Sequence, residues 1–178
     1  MTVTKLLIFL TLALAVPAVA QESDPQGDAK CGATPAVPPA EYAAWSSAQP
    51  VKAATSAESA DAALLAPGKA LDLALVPTPD VKYAVRPEHP GGSVSSGGLT
   101  AVRIDHAGTY RVGIDSGAWL DVVADGKSLE SVGHGHGPAC TGIRKMVDFR
   151  LEPGRYLLQI AGNGTPKIRV ILAVVPGA

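Results

Sequence analysis

From Lys69 onward, apolar and polar residues alternate with a period of two. Leu71, Leu73 and Leu75 alternate with Ala70, Asp72 and Ala74, and Val81, Tyr83 and Val85 do the same against Lys82 and Arg86. The pattern recurs at Val102 and Ile104, and at Tyr110, Val112 and Ile114. It returns at Ile143, Val147, Phe149 and Leu151, at Tyr156, Leu158 and Ile160, and at Ile168, Val170, Leu172 and Val174. Side chains of a strand point alternately to its two faces, so each run predicts a half-buried strand. Asp125-Gly126 between "AWLDVVA" and "KSLESV" is a hairpin signal, because both turn positions tolerate positive φ. The pattern gives about eight strands joined by Gly, Pro and Asp turns, with no long amphipathic helix among them. The expected fold is all-β: an antiparallel β-sandwich or jelly roll, in which each apolar face is buried against another sheet.

The preceding stretch, 21–68, is rich in Ala, Pro, Ser and Gln. It predicts an irregular, partly helical N-terminal arm, with short turns at "PAEYAAWSS" and "SAESADAALLAPG". The arm has two readings, a docking segment or a cover packed across the sandwich. The sandwich domain is expected over 69–178.

The first residues change the compartment. Lys5, the apolar run Leu6 to Val16 and the small-x-small site Ala18-Val19-Ala20 form a secretory signal peptide over 1–20, cleaved after Ala20. The protein is expected to be periplasmic or secreted, without a membrane span. Two cysteines in an exported chain most simply form one disulfide, Cys31 to Cys140. Fifteen basic and sixteen acidic residues leave a formal charge of −1, which offers no footprint for nucleic acid. Aromatics at 4% argue against a stacking platform for bases or sugars.

Candidate chemistry concentrates in "GHGHGPAC", Gly133 to Cys140. In a strand, His134 and His136 would share a face and reach one ion. Neutral imidazole suits Fe, Cu or Zn, and a third ligand would come from Glu130, Asp148, Cys140, His89 or His106. Two histidines with Glu130 or Asp148 would make a non-heme iron set. A Cys140–imidazole pair would make a nucleophile, but oxidation with Cys31 removes it. The third reading is a glycine-rich loop stapled by the disulfide, since Gly is a poor strand residue and Pro138 cannot donate to a ladder. One sulfur cannot serve both as bridge and as metal thiolate. A second polar loop, "RPEHPGGSVSSGG", carries Glu88 and His89. It would line a ligand cleft if it lies at the same end as the histidines.

Two resemblances add expectations. "AGTYRVGIDSGAWLDVVADG" with "LEPGRYLLQIAGN" resembles the pre-peptidase C-terminal domains of secreted bacterial peptidases. That resemblance implies a sandwich and a non-catalytic role in surface binding or export. "PGGSVSSGGL", "HGHGPACTGIRKMVDF" and "PGRYLLQIAGN" are similar to small exported proteins of sphingomonad-type alphaproteobacteria that carry the name homogentisate 1,2-dioxygenase. The name implies a small metal-dependent dioxygenase. Only His134 and His136 match its iron motif, and Ala139-Cys140 stands where the acid belongs. The leading expectation is an exported, non-catalytic binding or envelope accessory module. Its partner would be a small molecule, a metal or an envelope protein. The alternative is the dioxygenase.

Overall fold

The computed structural model describes residues 31–177; the leader expected over 1–20 lies outside them. The chain forms two packed β-sheets. In chain order the strands are β1 (Gln49–Lys52), β2 (Leu64–Leu65), β3 (Lys69–Ala74), β4 (Val76–Pro77), β5 (Ser96–Ile104), β6 (Gly108–Ile114), β7 (Trp119–Ala124), β8 (Lys127–Ser128), β9 (Gly133–Gly135), β10 (Lys145–Leu151), β11 (Gly154–Asn163) and β12 (Lys167–Val174). One sheet has the order β1-β3-β12-β6-β10-β9. The other has the order β2-β5-β11-β7-β8, with β4 also pairing β5. The expected sandwich is present, with one refinement. The arm adds β1 and β2 as parallel edge strands on β3 and β5, so both sheets are mixed rather than purely antiparallel.

The alternating leucines, valines and isoleucines meet between the sheets. Leu73, Ile114, Leu158, Ile160 and Val170 are fully buried there. Each such side chain contributes roughly 1.5–3 kcal/mol of burial free energy. Tyr110 and Tyr156 follow matching turns and enter this core. Each hydroxyl donates back four residues, to the His106 carbonyl at 2.6 Å and the Glu152 carbonyl at 2.8 Å. The Asp125-Gly126 turn joins β7 to β8 with φ of 50° and 71°, as the hairpin signal requires.

Arm segments also cover the outer faces of both sheets. Tyr42 and Trp45, on the 3-10 helix Ala40–Ser47, pack on Ala70, Ile143, Ile171 and Ala173 of the first sheet. On the second sheet, Ala60, Val81, Tyr83 and Val85 cover Leu99, Ala101, Val123 and Leu157. The Val81–Val85 run was therefore misread as a strand. It has no ladder partner and lies across the outer face as irregular chain. Its alternation has another origin. Val81, Tyr83 and Val85 rest on the sheet, while Lys82 and Ala84 face water. Gly97 makes this approach possible, because a Cβ there would overlap the Tyr83 hydroxyl.

Candidate functional site

The chain passes from one sheet to the other between β8 and β9, along one edge of the sandwich. Leu129 N–H donates to the Val122 carbonyl and Val132 N–H to the Asp148 carbonyl, so this crossing strap is tied to both sheets. β8 has only two residues and pairs Val123 and Ala124. The remaining edge of β7, at Trp119 to Asp121, has no strand beside it on that side. A groove of about 720 Å³ runs along that edge. Leu120, Leu129, Val147 and Phe149 give it an apolar floor. Arg86, Glu88, Asp121, Glu130, His134 and Lys145 supply its polar groups.

The two polar loops, whose placement at one end the sequence left open, come together here. Glu88 and His89 come to the same end as Glu130 and His134. Glu88 lines the groove, and the His89 ring meets Trp119 edge-on at 4.6 Å. A fully buried residue holds the loop there. Gln159 Oε1 accepts from Ala84 N–H at 2.6 Å and Val85 N–H at 3.2 Å, and its Nε2 donates to the Val85 carbonyl at 3.1 Å.

Gly133–Gly135 forms strand β9, contrary to the loop reading drawn from its glycines. Gly133, His134 and Gly135 pair with Asp148, Val147 and Met146. Long-range pairing overrides weak local propensity here. His134 stands opposite Val147 and so shares its inward face. Lys145 lies on that face too, at the start of β10. Its ammonium reaches across the gap between the sheets, donates to the Ala118 carbonyl at 3.0 Å and lies 5.5 Å from the Trp119 ring. Burial pushes its pKa down.

Asp148 belongs elsewhere. One residue past Val147, it points to the outer face and grips Arg111 through two contacts of 2.6 Å. That pairing, with a further bond from Arg111 to the Tyr42 hydroxyl, raises the Arg111 pKa. Asp148 therefore cannot join the histidines, and it does not pair with Arg144 either. Cys140 is bonded to Cys31 across a sequence separation of 109, so its sulfur is not a thiolate ligand or a nucleophile. Among the described residues no three of His, Cys, Asp and Glu form a metal-holding group.

His134 and His136 do line one smaller pocket of about 310 Å³. The other charged groups around it are Arg144 and Lys145, which oppose a bound cation. With Asp148 paired to Arg111 and Cys140 in a disulfide, the donor set around the histidines does not fit the iron of the dioxygenase reading.

Two groove-lining residues each carry a buried polar atom with no hydrogen-bond partner among the described residues, Trp119 Nε1 and Asp121 Oδ2. Asp121 Oδ1 accepts from the Ser128 hydroxyl at 3.0 Å. An unsatisfied buried group of this kind costs about 1–3 kcal/mol, and the residues that carry such a cost are often functional. Sequence reasoning missed Trp119, Asp121 and Lys145. The one available signal was Lys145, a charge interrupting an apolar face.

A second groove of about 680 Å³ lies where the arm crosses the first sheet, beside Trp45, Pro50, Val51 and Ile168. Most of its charged and polar side chains are engaged in holding the arm. Arg169 holds Asp72 through contacts of 2.6 and 2.8 Å and donates to the Trp45 carbonyl, while Trp45 Nε1 donates to the Thr141 carbonyl. This groove is a seam of arm packing.

The glycines of the histidine segment have different tasks. Gly135 faces open space, whereas a Cβ on buried Gly137 would overlap the Ile143 carbonyl and side chain. Gly137→Ala is expected to lower the thermal midpoint by about 5–10 °C, from an overpacking cost of roughly 2–3 kcal/mol. Gly135→Ala should leave the midpoint within about 2 °C of the parent. Equal midpoints for the two variants would contradict the close packing at Gly137.

Models of known families give no match to this chain, and no curated protein is significantly similar to it.

Proposed function

We propose that this protein is an exported, non-catalytic binding module of the cell envelope, and that the groove beside β7 takes a small-molecule ligand. The observation that carries the reading is the convergence at one sandwich edge of an apolar floor, a strap tied to both sheets and two buried unpartnered polar atoms. Ligand sites have this make-up: mostly apolar, with a few polar groups that fix orientation. Export is supported by the leader read in the sequence and by the Cys31–Cys140 disulfide, a bond that persists in oxidising compartments. Cys31 and Cys140 are joined in a disulfide, so neither offers a thiolate nucleophile. The resemblance to pre-peptidase C-terminal domains fits the same role.

The uncharged dye N-phenyl-1-naphthylamine tests the groove. Its fluorescence should rise saturably with one site per chain. The response should vanish in Ser131→Trp, which fills the groove from an exposed lining position without touching the core. Absence of saturable binding, or binding indifferent to Ser131→Trp, would contradict the reading.

A further inference from the structure

We infer that the ligand of this groove is a small organic anion, whose charged group sits at the histidine segment and whose apolar body lies over Phe149 and Val147. The inference rests on the binding reading above and adds the chemistry of the ligand. Three observations lead to it. First, the pocket beside the groove is lined by His134, His136, Arg144 and Lys145, with Gly117 and Gly135. Among the described residues no carboxylate lines it. Imidazole N–H, guanidinium and ammonium groups are donors to carboxylate, sulfonate or phosphate oxygens. Second, His134 and Lys145 line both cavities, so the cationic pocket and the apolar-floored groove are continuous through these two side chains. Third, the carboxylates Glu88, Asp121 and Glu130 all lie on the groove side, where Arg86 is the one cation besides Lys145 among the described lining residues. That end is therefore mixed in charge and less favourable to an anionic head than the histidine segment. The site is cationic at the histidine segment, mixed in charge at the far rim and apolar beneath.

Geometry also explains why these residues are placed so. His134 and Lys145 share the inward face through the β9–β10 pairing, and Lys145 is held in place by the Ala118 carbonyl and the Trp119 ring. Open space lies over Gly117 and Gly135, so backbone does not obstruct a bound oxyanion. Arg144 is exposed and its backbone N–H is fixed to the Ile114 carbonyl at 2.7 Å, so its side chain is available while its position is set.

Two dyes with the same ring system separate the inference from the reading beneath it. 8-Anilinonaphthalene-1-sulfonate carries a sulfonate that N-phenyl-1-naphthylamine lacks. The oxidised, exported protein should bind the sulfonate about tenfold more tightly than the neutral dye, the value of one charge-assisted contact. Arg144→Ala and His136→Gln, at positions that line the cationic pocket and not the groove, should each remove most of that advantage and leave neutral-dye affinity within about twofold. Far-UV circular dichroism and the thermal midpoint confirm that these variants are folded. Equal affinity for the two dyes, or a sulfonate affinity unchanged in both variants, overturns the anion inference and leaves the groove reading intact. Failure of both dyes to bind overturns both.

Discussion

Replacing Cys31 and Cys140 together by serine should lower the unfolding free energy by roughly 3–4 kcal/mol, the largest single loss expected in this protein. The bridge closes a sequence separation of 109 residues, and in the chain-entropy account a loop of that length approaches the upper end of the scale. The Ala36 N–H donates to the Cys140 carbonyl at 2.8 Å, and Gly32 to Ala36 are exposed. The arm beyond them is held independently by buried Tyr42 and Trp45. The double serine variant should therefore keep Trp45 buried and its fluorescence unchanged, while the denaturation midpoint falls. Cys140 has a φ of 62°, in the left-handed region that favours glycine. Glycine at 140 relieves strain that serine keeps, so Cys31→Ser/Cys140→Gly should recover about 1 kcal/mol relative to the double serine. A loss below about 1 kcal/mol for the double serine would show that the bridge restrains nothing the fold does not already restrain.

Gln159→Leu should cost about 2–4 kcal/mol and loosen the groove as well. The volume is nearly conserved, so the loss comes from polar groups. Ala84 N–H, Val85 N–H and the Val85 carbonyl, in part-buried surroundings, all lose the partner that the fully buried Gln159 gives them. Those bonds hold the segment leading into Arg86, Glu88 and His89. The variant should show faster amide exchange over 81–90 and several-fold weaker dye binding, with amide protection of β11 and β7 retained. Unchanged exchange over 81–90 would mean that the loop is positioned by Val81 and Tyr83 packing instead.

These two residues also mark what a linear reading reaches. The sandwich was legible because both sheets contribute an inward face with strict alternation, and the disulfide because two cysteines in an exported chain have one simple use. Gln159 was not legible. It sits in a run read for its apolar neighbours Leu158 and Ile160, and its partners lie some 75 positions away. The same outer-face packing made Val81, Tyr83 and Val85 imitate a strand. In the histidine segment, the alternation rule placed His134 on the inward face with Val147. The same rule applied to β10 sends Asp148 the other way, to Arg111. Glu130 and His134 were singled out as metal-ligand candidates and Glu88 as part of a polar loop; the structure brings them together around a groove instead. Trp119 and Asp121 were not singled out, because an unpaired strand edge and a missing hydrogen-bond partner are properties of the assembled sheets.

Arg111 and Asp148 carry a structural lesson for the dioxygenase reading. Asp148, twelve and fourteen positions past the two histidines, fits a two-histidine, one-carboxylate set on paper. The β10 register commits this one to tying the arm residue Tyr42 to the first sheet. The charge that does stand beside the histidines is positive, and it points the chemistry toward anions.

The most direct test is a crystal structure of the oxidised protein with 8-anilinonaphthalene-1-sulfonate bound. The account predicts the naphthalene over Phe149 and Val147 beside β7, and the sulfonate within hydrogen-bond distance of Arg144, Lys145 or the His134 and His136 imidazoles. Dye seated instead in the groove at Trp45 and Ile168, or lying in the β7 groove with its sulfonate turned toward Glu88 and Glu130, would contradict it.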